Sequence, residues 1–331
     1  MAEQAFSIAI ACSHSADCLS STLQALAELD YPKGFEVLVI DDGRREGRED
    51  AAVAAKTAGL SIHYLSAPGI GRASAWNVAI HEAGAENLAF LDDGCVPSPD
   101  WLQVYDNAFD EWTAGVIGGP DRALKNAGVW ERSLDYVLNS FVGSLGLRTG
   151  RAVLGRYYPR PWNMAARTEA LRLAGGFGEH APVSPEVPMI SRLIRLAFKA
   201  SFEPNAVVGR RRETGPLKLV ARDFRLGAER GRGIAPPGVR RAYAAGLIAL
   251  LCVIATAWAG GRIPGREIVF IALGAYGAAL AFSGAHSAIL TKSPAVAVLT
   301  PALMAAHHVS HLAGYIFGLL SKAASSFARA S

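Results

Sequence analysis

The sequence predicts an α/β fold, a mixed and mostly parallel sheet with helices on both faces, joined to a C-terminal α-helical membrane region. Three observations carry this prediction. Short apolar runs alternate with stretches of helical period over residues 7–94. Two of those runs end in Asp-Asp-Gly, at residues 41–43 and 92–94. Beyond Arg241, three stretches of 20, 24 and 29 residues contain no Asp, Glu, Lys or Arg.

Taken in order, Ser7 to Ala11 reads as an apolar strand, and Ala16 to Ala27 as a helix with Leu19, Leu23 and Leu26 at helical spacing. Glu36 to Ile40 (EVLVI) is a second strand, Arg48 to Ala58 a helix and Ser61 to Leu65 a short strand. Arg72 to Ala83 is a helix, and Asn87 to Leu91 (NLAFL) the next strand. Strands separated by helices imply parallel pairing and two covered faces. Such sheets bind ligands at the carboxyl ends of their strands, where both Asp-Asp pairs stand. Asp at a strand end is otherwise a turn former. The run Gly69-Ile70-Gly71-Arg72-Ala73-Ser74 follows the third strand and lacks a final Gly or Ala. It reads as a Gly-rich loop before a helix, not as a dinucleotide fingerprint.

Charged residues make up 19% of the 331 residues and hydrophobic ones 51%. The charged share falls below the roughly 25% of a typical soluble protein, which argues against disorder and against a highly soluble enzyme. Four cysteines (Cys12, Cys18, Cys95, Cys252) are too few for a disulfide scaffold, and the spacing of the first two fits no structural zinc site. A reducing compartment is expected. The net charge of +4 is unevenly spread: residues 199–241 hold 11 Lys or Arg against 4 Asp or Glu, and residues 1–198 are net acidic. Basic charge outside the folded front domain argues against a nucleic-acid partner.

A membrane span needs about 20 mostly apolar residues, so the three uncharged stretches predict two to three transmembrane helices in residues 242–331. The third contains Pro294, Pro301, His307, His308 and His311 and is either kinked, re-entrant or partly interfacial. No carboxylate accompanies those histidines in the sequence, so packed or interfacial roles are expected for them. Gly274, Gly277 and Ala281 place small residues along one face of the second stretch, which suits close helix contact. The basic collar before the first span would face the cytoplasm together with the front domain. Within it, Leu217 to Leu226 mixes apolar and basic residues. This segment is either an amphipathic helix in the headgroup layer or a solvated helix docked on the front domain. Phe6 to Ala11 reads as a strand and not as part of a signal peptide.

Six motifs now stand in order: IAIACSHSADCLSSTLQAL, LDYPKGFEVLVIDDG, APGIGRASAWNVAIHEAG, NLAFLDDGCVPSPDWL, GGPDRAL and WNMAARTEALRLAGGFGE. Together they resemble the family-2 glycosyltransferases of the GT-A (nucleotide-diphospho-sugar transferase) fold, over about residues 6 to 230. The C-terminal spans resemble those of membrane-attached members acting on lipid-linked acceptors. The resemblance implies a nucleotide-sugar donor and a polyprenyl- or other lipid-linked acceptor, or a polysaccharide of the cell envelope, with protein partners in such an assembly. It implies that Asp41 contacts the nucleobase, Asp92 the ribose or metal-bound diphosphate, and that Asp93 ligates Mg or Mn. Arg72 would touch base or pyrophosphate, or else form a surface salt bridge. Arg210, Arg211 and Arg212 would meet the diphosphate or a lipid headgroup. Glu186 occupies the position of the catalytic base, or else is only an acid at a helix N-terminus; His180 is a spare base.

Three departures stand out. Asp92-Asp93-Gly94 lacks the last acid of Asp-x-Asp, Trp76 stands where the family often has Arg, and Pro185 replaces the first acid of the base motif. Two readings follow. One is an inverting glycosyltransferase at the cytoplasmic face of a bacterial inner membrane. The other is a catalytically silent, glycosyltransferase-like subunit serving as membrane scaffold or binding protein. The expected division is 1–208 for the transferase domain, 209–241 for the basic interfacial segment and 242–331 for the membrane region.

Overall fold

The structure, a computed structural model, describes residues 4–111, 114–144, 148, 157–179, 183–212, 215–235, 239, 252, 255 and 265–330. His180, Arg240, Arg241 and nearly all of the first uncharged stretch lie outside the described residues. The chain forms two compact units.

The first unit comprises residues 1–126, 147–152 and 156–211. Its elements are β1 (Phe6–Cys12), α1 (Ala16–Ala27), β2 (Phe35–Asp41), α2 (Arg48–Thr57), β3 (Ile62–Ser66), α3 (Arg72–Glu82), β4 (Asn87–Asp92), β5 (Cys95–Pro97), α4 (Trp101–Glu111), β6 (Ala114–Gly118) and β7 (Asp121–Ala123). After a segment of the second unit come β8 (Asn163–Arg167), α7 (Thr168–Leu173), α8 (Glu186–Arg195), β9 (Lys199–Phe202) and β10 (Val208–Arg210). The elements expected up to β4 are all present, within a residue or so at each end.

Seven strands form the main sheet in the order β3-β2-β1-β4-β8-β6-β9. The four N-terminal strands pair in parallel, and β8 runs antiparallel to both β4 and β6. Burial on both faces explains why β1 and β2 are apolar without alternation. Phe6, Ile8, Ile10, Val37 and Val39 pack on one face with Leu19, Leu23 and Leu26 of α1. Ala9, Ala11, Leu38, Ile40, Leu88 and Phe90 pack on the other with α3, α7 and α8. On that second face Trp76 is buried, its ring 4.9 Å from Phe177 and 6.5 Å from Phe90. Aromatic pairs of this kind contribute about 0.5–1.5 kcal/mol beyond their buried area, so Trp76 serves the core.

Strand register positions the acidic ends. Cys12 pairs with Asp41 on one side, and Ala11 pairs with Asp92 on the other. Asp41 and Asp92 therefore flank the end of β1, one strand away on either side. The one-residue offset sends their side chains to opposite faces, because successive residues alternate across a strand. A second, three-stranded sheet, β5-β10-β7, sets Arg210 opposite Cys95.

The second unit comprises residues 127–146, 153–155 and 212–331. It holds α5 (Val129–Asn139), α6 (Phe141–Ser144), α9 (Pro216–Arg232), α10 (Gly265–Thr291) and α11 (Pro294–Ala330). Val269–Thr291 and Pro294–Ser325 are each long and apolar enough to cross a membrane. Phe270, Ile271, Leu273, Phe282, Ile289 and Leu290 of α10 are exposed. The third uncharged stretch is one continuous helix that passes through Pro301.

Helix α9 packs against α11. A Cβ at Gly227 would meet the His311 carbonyl at 2.2 Å, and one at Gly231 that of Tyr315 at 2.3 Å. From the other side, Gly314 and Gly318 would strike the carbonyls of Phe224 and Ala228 at 2.0 and 2.2 Å. Two Gly-x-x-x-Gly faces thus let the backbones touch. Among the described residues, no atom lies within 4 Å of a Cβ built at Gly274 or Gly277.

Candidate active site

The β1–α1 loop crosses the end of β4 and is clamped by Asp93. Its Oδ2 accepts from the backbone N–H of Ser13 (2.9 Å) and of His14 (2.6 Å). Its Oδ1 meets His14 Nδ1 at 2.7 Å and the Ser13 hydroxyl at 3.3 Å. The hydrogen bond to Asp93 raises the His14 pKa above 6.5 against the effect of burial. Asp93 therefore shapes the loop, and its oxygens are engaged by the protein itself.

Asp92 is fully buried. Its Oδ2 accepts from Arg210 Nη2 at 2.7 Å, and Arg72 Nη1 stands 3.8 Å away. Its Oδ1 is buried and has no hydrogen-bond partner among the described residues. Burial pushes this carboxyl up, but Arg72, Arg210 and His14 together outweigh it and hold the pKa below 3.8. A buried carboxylate with one unspent oxygen suits a divalent cation or a ribose hydroxyl. Arg72, at the first turn of α3, also donates to the Ser13 hydroxyl at 3.0 Å and keeps part of its surface exposed.

The turn that follows explains the missing third acid. Gly94 has φ +86°, the left-handed region that glycine adopts at little cost. Its N–H donates to Thr22 Oγ1 at 2.8 Å. An Asp there would be strained, and this chain uses the position to turn β4 into β5.

Asp41 is held differently. Arg48 and Tyr64 both donate to its carboxylate, and the Gly43 N–H adds a bond at 3.0 Å. Burial opposes ionisation, yet the Tyr64 and Arg48 hydrogen bonds lower the pKa below 3.8. Arg48 is itself buried and also donates to Asp42 (2.8 Å) and, through Nη2, to the His14 carbonyl (2.6 Å). A cation at the first residue of a helix opposes the helix dipole. Its three acceptors account for it there.

Glu186 opens α8 and is buried, in an ion pair with Arg160. The Arg160 carbonyl accepts from Asn163 N–H at 2.9 Å, and Asn163 pairs with Leu91, the residue before Asp92. The Glu186–Arg160 pair therefore stands at the same sheet rim as Asp92. Asn163 is the hub there: its side chain bonds Trp101, Tyr105 and the carbonyls of Pro120 and Ala206. Trp162 lies under Arg210, 4.2 Å from guanidinium carbon to ring centroid, with Arg148 at 5.1 Å. Such cation–π stacking fixes the orientation of Arg210.

Of the expected site residues, Asp92, Asp93, Arg72 and Arg210 are joined by direct contacts or through Ser13 and His14. Asp41 connects to the same loop through Arg48. Arg211 lies beside Gly94, its N–H donating to the Gly94 carbonyl at 3.3 Å. Arg212 belongs to the second unit and pairs with Asp135 of α5 at 2.6 Å. Sequence reasoning missed Ser13, His14, Arg48 and Arg160. Ser13 and His14 had a usable signal, since they directly follow the carboxyl end of β1. The signal for Arg48 was its charge at a helix start.

Among relatives, the chain is 24% identical over 224 residues to glycosyltransferase AglE of Haloferax volcanii, covering 67% of this chain and 71% of that one. Its fold is similar to that of mannosyltransferase PcManGT from Pyrobaculum calidifontis, solved in complex with GDP-Man and Mn2+: TM-score 0.60, 19% identity, 94% of this chain and 87% of that. S. aureus TarS 1-349 in complex with UDP-GlcNAc is similar at TM-score 0.50 and 16% identity, over 97% and 92% of the two chains. The match to the model of glycosyl transferase family 2 runs over residues 7–176, more than half of the chain and every strand from β1 to β8. This chain therefore belongs to glycosyl transferase family 2 and is a glycosyltransferase.

Proposed function

We propose that the protein is a membrane-attached, inverting glycosyltransferase. It moves a sugar from a nucleotide-sugar donor to a lipid-linked or polysaccharide acceptor at the cytoplasmic face of a bacterial inner membrane. The observation that carries the donor site is Asp92, buried at the end of β4 with two arginines beside it and one oxygen unspent. PcManGT and TarS, complexed with GDP-Man and UDP-GlcNAc, support a nucleoside-diphosphate donor on this fold. Membrane attachment is supported by the two long apolar helices. Exposed Leu217, Val220, Lys218 and Arg225 on α9 further support an interfacial face.

In this reading Asp41 lies at the nucleobase end of the donor and Asp92 at the ribose or diphosphate. Arg72 and Arg210 offset the charge that builds on the departing diphosphate. Mg2+ or Mn2+ suits the all-oxygen donor set of Asp92 and Asp93, with Asp92 Oδ1 the open acceptor. When bound, the cation supplies further charge neutralisation to the leaving group. Asp93 Oδ1, now held by His14, would be the second carboxylate ligand. Glu186 takes the proton from the acceptor hydroxyl. The hydroxyl oxygen bonds to the anomeric carbon as the bond from that carbon to the diphosphate oxygen breaks, and the configuration inverts.

The test is a donor screen on full-length protein in detergent, with UDP-, GDP- and dTDP-sugars, a polyprenyl-linked saccharide and a polyprenyl phosphate as acceptors, and hydrolysis and transfer scored separately. Turnover of one donor class, lost in Asp92→Asn, is the expected result. Absence of both turnover and nucleotide binding would leave the silent-subunit reading in its place.

A further inference from the structure

His307, His308 and His311 have no carboxylate near them in the sequence, but the fold supplies one. Asp223 of α9 is fully buried against α11. Its Oδ2 lies 2.8 Å from His307 Nδ1, while Arg222 holds Oδ1 at 2.9 and 3.2 Å. The glycine crossing makes this approach possible. Asp223 stands one turn before Gly227 and His311 one turn before Gly314, so each shares a helix face with a glycine in backbone contact. His308 points elsewhere, to the Tyr276 hydroxyl and the Val142 carbonyl.

One ligand atom from each of Asp223, His307 and His311 lies within 4.8 Å of those of the other two. The protonation pattern suits a metal. His311 Nδ1 faces the His307 carbonyl at 3.0 Å. A carbonyl only accepts, so Nδ1 carries the proton and Nε2 keeps its lone pair when the ring is neutral. Histidines that bind metals characteristically donate their other ring N–H in this way.

We infer that Asp223, His307 and His311 form a binding site for a transition-metal dication, Zn2+ in the first place, which cross-links α9 to α11. Two imidazoles and one carboxylate favour Zn2+ over the hard cations that suit the oxygen-only rim of the first unit. The proton now between His307 and Asp223 gives way to the metal. With bonds of about 2.0–2.2 Å in tetrahedral geometry, the 2.8 Å separation opens by roughly 0.5–0.8 Å, a side-chain adjustment. The site does not rest on glycosyl transfer.

The test uses full-length protein in detergent, stripped with a chelator and then titrated with Co2+ and Zn2+ under excess Mg2+, which keeps the all-oxygen rim occupied. About one Co2+ per chain is expected, with visible bands of a nitrogen-ligated ion that Zn2+ abolishes. X-ray absorption of the Zn2+ form should show imidazole scattering. His311→Ala and Asp223→Asn should lose this ion, and Asp93→Asn should retain it. His311→Gln serves if the alanine variant does not fold, and the scattering is read on the wild type alone. No stoichiometric Co2+ or Zn2+ on the wild type, binding without imidazole scattering, or binding unchanged in a folded His311 variant would each overturn the site.

Discussion

The rim of the front sheet and the α9–α11 crossing each bury a carboxylate beside a histidine and an arginine, yet they build these sites in different ways. At the rim, strand spacing is set by backbone hydrogen bonds, and Asp41, Asp92 and Asp93 project where the strands end. Their partners come from the β1–α1 loop (Ser13 and His14), the start of α2 (Arg48) and the end of β10 (Arg210). At the crossing no hydrogen-bond ladder sets the spacing. Helix axes normally lie 8–10 Å apart, and glycines at 227, 231, 314 and 318 bring the chains close enough for Asp223 to reach His307. A sheet rim tolerates changes in its loops, whereas a glycine crossing is lost with one side chain.

The largest expected effect tests the chemistry of the rim. Glu186→Gln keeps shape and removes the base, so the transfer rate should fall roughly 10²–10⁴-fold, with donor affinity by calorimetry unchanged. A near-normal rate would return Glu186 to a purely structural role at the start of α8. Next, Arg48→Met leaves Asp41 charged and buried with one partner fewer. Breaking a buried pair from one side costs about 3–5 kcal/mol, to be read as a lowered thermal midpoint; an unchanged midpoint would show that Tyr64 and the Gly43 N–H suffice.

The crossing is probed by Gly314→Leu, whose Cβ would stand 2.0 Å from the Phe224 carbonyl. Overpacking of this kind costs roughly 1–3 kcal/mol or more. Gly274→Leu, where among the described residues no atom lies within 4 Å of the added Cβ, should shift stability by no more than about 0.5 kcal/mol. Equal effects of the two would erase the contrast between the faces.

A smaller effect is expected from pH. Asp41 has a folded pKa below its ordinary 3.8, so its contribution is fully present above pH 3.8 and is lost as pH falls through the lowered value. Acid unfolding of the wild type should steepen in that window, and Arg48→Met should flatten it.

Much of the fold was legible because the strands are apolar without interruption and the helices carry leucine at regular spacing. The rim was legible in outline for the same reason: Asp41 and Asp92 end strands, and strand ends bind ligands in such sheets. The partners were not. That Arg48 takes Asp41, Arg160 takes Glu186 and Arg210 takes Asp92 depends on pairings 7, 26 and 118 residues apart, and no local pattern encodes them. The small-residue face of the second apolar stretch was noticed, while the glycines of the α9–α11 crossing, at 227, 231, 314 and 318, were not.

By itself, then, the amino-acid order determined the strand–helix alternation, the acidic strand ends and the long uncharged stretches, because hydrophobic period and charge act locally along the chain. Only the tertiary structure decided which cation meets which carboxylate, and that Asp223 joins His307 across 84 residues. Those pairings follow from sheet register and from the close approach of two helices, and both are set by distant parts of the chain at once.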